Sequence, residues 1–193
     1  MTMAGMVPSL TRAGAGDRLH YPKWITAKYY GPHTIVGGTI ASQALGANTV
    51  YASPLWVPPG SAIDRIGINV TVVAAAGKIL RLMLHASGAN DLPGALLLDA
   101  GTILADALGD REITVSYTPP GGLTWISVVS DGTPTVAMYN NTAVLGIMGS
   151  TTVSGASTGS VFKSNVNANV PDPWGTPSGY LTTGHVSPGV RAV

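Results

Sequence analysis

The residues of this chain that could do chemistry are few and scattered. Asp64-Arg65 and Asp110-Arg111-Glu112 each set carboxylates beside a guanidinium at the opening of an apolar run. Acid–base catalysis needs two carboxylates converging from separate strands, so these acids read better as rim charges that discourage edge-to-edge strand pairing. The four histidines, His20, His33, His85 and His185, form no His-x-His or His-x-x-x-His pair that would place two imidazoles on one metal. A metal could then be shared only at a symmetry axis, one histidine from each subunit. Ser87-Gly88-Ala89-Asn90-Asp91 offers oxygen ligands but lacks the acid density and spacing of a calcium cage, and reads as a turn in which Asn and Asp cap their own backbone. Gly155-Ala156-Ser157-Thr158-Gly159 spells Gly-x-Ser-x-Gly, but it falls in the Ser/Thr/Gly-rich stretch 149–160, which reads as a loop and not as the strand-to-helix turn of a nucleophile elbow; the phosphate loop ending in Lys-Ser or Lys-Thr is missing. The chain therefore reads as non-enzymatic, with no cofactor and no metal.

Aromatic rings remain as groups that could meet a sugar or a partner: Trp24, Tyr29, Tyr30, Trp56, Trp125, Tyr139, Trp174 and Tyr180. Trp125 alternates with core residues and is expected to be buried. Trp174, between Pro173 and Gly175 in a turn, is the best candidate for an exposed ring. With Tyr180, Asn90 and Asp91 it makes the candidate contact set for a glycan or partner. Packing of Trp174 beneath a loop or against a neighbouring subunit is the competing reading, and the commoner fate of such a ring.

The elements that must position these residues are strands. Between Ser53 and Ser150 a short apolar run, a turn cluster and another run succeed one another. Ile66, Ile68, Val70 and Val72 alternate with Gly67, Asn69 and Thr71; Ile113, Val115 and Tyr117 alternate with Glu112, Thr114 and Ser116. Strands are expected at His33–Ile40, Thr49–Val57, Ile63–Val73, Lys78–His85, Ala95–Leu104, Arg111–Tyr117, Leu123–Ser130, Thr135–Tyr139 and Ala143–Met148. Turn clusters such as Pro58-Pro59-Gly60 and Pro119-Pro120-Gly121-Gly122 divide them. Leu96-Leu97-Leu98 could begin a helix, but Gly101 and Gly109 cut helices short, so helix content should be small. Strands at this spacing indicate an all-β sandwich or barrel. Ile66, Ile68, Val70, Val72, Leu80, Leu82, Leu84, Ile113 and Val115 should form its core. Val190–Val193, after the Pro188-Gly189 turn, should pair with an existing sheet.

At 193 residues the chain suits one domain, residues 28–193, with a loop-rich C-terminal part, preceded by an arm, residues 1–27, that has no apolar periodicity. The arm should be extended and lie on another chain. Only 10% of residues are charged, against about a quarter in ordinary soluble domains, and the mean hydropathy is +0.29. Surfaces so poor in charge are usually covered by neighbours, which predicts a homo-oligomer; a Ser/Thr/Asn-rich surface that stays soluble alone is the alternative. A net charge of +1 gives no reason to invoke nucleic acid or an anionic membrane, and no apolar run approaches the roughly 18 residues of a membrane span. Cysteine is absent, and no secretory signal is visible at the N-terminus.

Several segments recur in the same order in one group of proteins: Tyr29-Tyr30-Gly31-Pro32, Tyr51-Ala52-Ser53-Pro54, Ile63 through Thr71, Leu92-Pro93-Gly94-Ala95-Leu96-Leu97-Leu98-Asp99-Ala100-Gly101, Arg111 through Val115, and Trp125 through Asp131. In these the chain resembles bacteriophage virion structural proteins of the tail-fibre, head-fibre and minor structural protein group. The resemblance runs from Tyr29 to the C-terminus, is clearest over Tyr51–Asp131, and does not include the long arm. It implies an antiparallel jelly-roll-like β-sandwich on the virion surface, commonly a homotrimer, that contacts other virion proteins. A receptor-binding module for a host cell-surface glycan, or a capsid decoration protein, would use the same scaffold.

Overall fold

The computed structural model describes residues 23–32, 40–140, 160–167, 169–181 and 184–193. The described residues form thirteen strands and a single 3₁₀ turn at Ala89–Asp91, with no α-helix among them. The strands are β1 Tyr29–Tyr30, β2 Ile40–Ala44, β3 Val50–Val57, β4 Ile63–Val72, β5 Ile79–Ser87, β6 Pro93–Leu104, β7 Gly109–Tyr117, β8 Gly122–Ser130, β9 Thr135–Asn140, β10 Ser160–Lys163, β11 Gly179–Leu181, β12 Gly184–Val186 and β13 Gly189–Ala192. Every pairing is antiparallel. One sheet runs β11-β10-β3-β8-β5-β6, and the other gathers β1, β2, β4, β7, β9, β12 and β13. The fold is an all-β, jelly-roll-like sandwich.

The seven-stranded sheet is built around β4. One edge of β4 pairs with β7 from Ile63 to Val70, and the other is shared by β13 at Ile63–Gly67 and β9 at Val70–Val72. The chain end therefore returns to the sheet: Val190 and Ala192 are buried while Val193 projects into solvent. Asp64 and Arg65 lie on this interior strand, which corrects their reading as edge charges. They serve as cross-strand pairs: Arg191 on β13 donates to Asp64 from Nε at 2.8 Å and Nη2 at 2.5 Å, and Arg65 reaches Thr114 Oγ1 at 2.7 Å on β7. The Arg191 hydrogen bonds hold the Asp64 carboxyl below the usual carboxylate range. Asp110 and Glu112 do lie on an edge strand, β7.

Between the sheets, period-2 alternation fills a single core. Leu55 and Val57 of β3, Leu80, Leu82 and Leu84 of β5, and Ile126 and Val128 of β8 meet Ile66, Ile68 and Val70 of β4, Val136 of β9 and Val190 of β13. Val72 is 54% exposed, contrary to its place in the alternation, because the β4–β9 register slips between Val70 and Val72 and rotates it outward. Ile113 and Val115 pack against the core only half-buried, since among the described strands β7 has a neighbour on one side only. Leu96-Leu97-Leu98 lies in β6, not in a helix. The expected strands at 33–39 and 143–148, and the arm up to residue 22, lie outside the described residues; residues 23–27, expected to extend onto another chain, pack instead on this one, with Trp24 stacked on Tyr30 against the core and Ala27 N donating to Ala192 O at 2.8 Å.

Candidate functional site

The two outer faces of the sandwich are finished differently. On the six-stranded sheet, Val50 and Ala52 of β3, Met83 and His85 of β5, Trp125 and Val129 of β8 and Val161 of β10 point away from the main core. An exposed apolar face of that size would be unfavourable at roughly 25 cal/mol for every Å² left in water. It is covered instead by Val166, Val170 and Trp174, from the chain that follows β10. The Trp174 amide donates to Gly94 O at 3.1 Å, Leu96 N donates to Asp172 Oδ1 at 3.1 Å, and Ser178 N donates to Phe162 O at 2.9 Å. Trp174 is 0% exposed and meets the His85 ring edge-to-face at 5.0 Å.

Trp174 is therefore a core residue of a second, smaller cluster and cannot present its ring to a ligand. Its isolation between Pro173 and Gly175 suggested exposure, but the face it covers lies far away in sequence. The rest of the sequence-derived set is dispersed. Tyr180, 49% exposed, sits on β11, an outermost strand of its sheet. Asn90 and Asp91 are exposed in the 3₁₀ turn, both with positive φ, and Ser87 Oγ lies 3.3 Å from Asp91 Oδ1. The Asp91 carbonyl accepts from Trp125 Nε1 at 3.0 Å, which ties the turn to the cluster below. None of the hydrogen bonds, ion pairs or ring contacts among the described residues joins Tyr180 to this turn.

Burial also settles the two described histidines. Enclosure pushes the pKa of both His85 and His185 down to about 4, which keeps them neutral at ordinary pH. Neither is accessible enough to be offered to a metal at a symmetry axis, and no three His, Cys, Asp or Glu side chains converge on a metal site among the described residues.

Among the described residues nothing covers the outer face of the seven-stranded sheet, and it carries a groove of about 500 Å³. Cross-strand partners point to the same side, so the register dictates its shape. Gly189 of β13, Gly67 of β4 and Glu112 of β7 form one transverse row. Two glycines side by side leave a trough where side chains would otherwise stand. Tyr29 exploits it: its Cδ1 lies 3.9 Å from where a Gly189 Cβ would be, and its phenol donates to Glu112 Oε1. A Gly67 Cβ would press on Glu112 Cγ at 3.2 Å. Burial first, and Glu112 second, push the Tyr29 pKa up to about 12. In the next outward row Asn69 Nδ2 donates to Asp110 Oδ1 at 2.7 Å. Tyr139 of β9, paired with Ile40 of β2, stands against Gly31 and also lines the groove.

Sequence reasoning named Tyr29, Tyr139, Asp110 and Glu112 without bringing them together. The Gly67–Gly189 row was the missing signal, and it needs the β4–β13 register to be seen.

No family model and no curated protein matches this chain. Among solved structures it is similar to the cysteine protease and lectin-like domains of Cwp84, a surface-layer-associated protein of Clostridium difficile, at 11% identity and a TM-score of 0.48. It is also similar to a variant of the clostridial cysteine protease Cwp84 after propeptide cleavage, at 14% identity and a TM-score of 0.49. The matches cover 79% and 81% of this chain but only 36% and 40% of those structures.

Proposed function

We propose that the chain is a non-enzymatic structural protein of a bacteriophage particle, a fibre or spike subunit carried on the virion surface. One observation carries the reading: the segments that resemble virion structural proteins coincide with the body of the sandwich. Tyr51–Pro54 lies in β3, Ile63–Thr71 in β4, Arg111–Val115 in β7 and Trp125–Ser130 in β8, while Leu92–Gly101 runs from the 3₁₀ turn into β6. The likeness thus follows the framework and not a loop.

Assembly accounts for the surface. With 10% charged residues, the chain leaves Leu108 66% and Val72 54% exposed. Neighbouring subunits about a three-fold axis would cover such positions, with the part of the arm before residue 23 as the attachment to the particle. The test is direct. Antibody raised against the recombinant chain should decorate particles from the source culture in negative-stain images, and the chain should sediment as a trimer. Undecorated particles that also lack the chain by mass spectrometry would refute the proposal.

A further inference from the structure

We infer that the groove on the outer face of the seven-stranded sheet is a carbohydrate-binding site, selective for neutral or amine-bearing oligosaccharides over acidic ones. This goes beyond the structural role proposed above and stands whether or not the chain is carried on a particle.

The shape comes first. At about 500 Å³ the groove falls within the range of small-molecule sites, and its floor holds Gly67, Gly189 and Ala137, so a ligand can lie close to the sheet. Its chemistry is mixed in the way a sugar requires. Pyranose rings have apolar C–H faces and a rim of hydroxyls. Tyr29 and Tyr139 supply apolar ring surface, each with a hydroxyl at its tip. Glu112, Asp110 and Asn69 supply acceptors and amide donors on the β7 side. Two of these carboxylates are already fixed by hydrogen bonds, Glu112 by the Tyr29 phenol and Asp110 by Asn69, so little side-chain freedom remains to be lost on binding. Asp110 keeps its second oxygen for hydroxyl donors, and Glu112 Oε2, 3.6 Å from Arg65 Nε, keeps a further lone pair.

Charge selects among sugars. Asp110 and Glu112 line the groove, and among the described residues no lysine or arginine does. Arg65 approaches Glu112 at 3.6 Å from outside the lining. The lining therefore complements neutral hydroxyls or an ammonium group and repels carboxylated sugars. The rims set by Tyr180 at β11 and by the Asn90 turn have no part in it.

The experiment is calorimetric titration of the full chain with four probes: cellotetraose, N-acetylchitotetraose, the amine-bearing glucosamine tetramer, and 3′-sialyllactose. Binding of at least one of the first three at or below about 1 mM is expected, with no binding of sialyllactose. The paired change Asp110→Asn with Glu112→Gln should weaken binding about tenfold or more. Ser42→Trp should abolish it, because Ser42 is exposed on β2, lines the groove and can carry a large side chain without entering the core. Tyr180→Ala should change nothing. Should the paired variant fail to fold, Ser42→Trp decides alone. Silence of all four probes at about 1 mM, preference for sialyllactose, or affinity indifferent to Ser42→Trp would each overturn the inference. So would light scattering showing that the groove is occupied by a second copy, with Ser42→Trp producing monomers.

Discussion

Acidification should strip the fold of roughly 2–3 kcal/mol through His85 alone between about pH 7.5 and about pH 4.5. His85 is 0% exposed, lies beneath Trp174, and finds no hydrogen-bond partner for either ring nitrogen among the described residues. Burial lowers its pKa from 6.5 to about 4; the Gly94 backbone and the Asp172 carboxylate oppose the shift, although Gly94 does not reach hydrogen-bond geometry. The unfolded chain therefore takes up the proton first. Stability is full above the unfolded value of 6.5, falls as the pH drops towards 4, and levels off below it. His185 is pushed to about 4 by the same cause and contributes a comparable loss in the same window. In His85→Phe the orphaned nitrogens vanish, so stability at about pH 7.5 should be unchanged or slightly higher, and the acid-induced loss should be about halved. Guanidinium titrations followed by tryptophan fluorescence measure both quantities, with the buried Trp125 and Trp174 as reporters. If wild type and His85→Phe lose the same stability on acidification, His85 is hydrated or partnered in solution and the reasoning fails.

Trp174→Ala should cost about 3–5 kcal/mol and expose the segment around residue 170 to proteases, read by thermal melting and limited digestion. Tyr29 should ionise near 12 in a phenolate absorbance titration, and Glu112→Gln should bring it back towards 10. Because its folded pKa is raised, whatever stability Tyr29 contributes should be lost as the pH rises from 10 towards 12. Arg191→Gln should raise the pKa of the Asp64 carboxyl towards its ordinary value of 3.8, visible in carboxyl NMR shifts. Gly184→Ala should destabilise by more than about 2 kcal/mol in the same denaturant titrations, since Gly184 has φ +156° and a Cβ there would stand 2.1 Å from the Tyr139 carbonyl oxygen.

The strands were legible wherever one face is wet and the other dry. In β4 the alternation of Ile66, Ile68 and Val70 with Gly67, Asn69 and Thr71 identified both the strand and its buried side. The same signal failed at Val72, because a register slip belongs to the pairing and not to the strand. In β8 the run from Thr124 to Ser130 is buried on both sides, and nothing local in it says what covers the second side. The answer, Trp174, lies more than forty residues downstream in a turn that by itself reads as exposed.

That contrast also explains why the candidate site moved from one face to the other. A strand that is apolar on both sides needs a cover, and here the cover consumes the aromatic ring that looked free. A strand whose outward residues are Gly67, Asn69 and Thr71 needs none, so its face stays available. The outward residues of β7, Asp110, Glu112 and Thr114, extend the same polar surface. Only the register makes a groove of it: β13 sets Gly189 beside Gly67, β1 lays Tyr29 across the pair, and β9 raises Tyr139 opposite. These residues span the chain from its first described strand to its last, so the groove exists only once the final strand has docked. Removing Val190–Val193 should therefore both lower the melting temperature and abolish oligosaccharide binding. A truncated chain that still binds would place the site elsewhere.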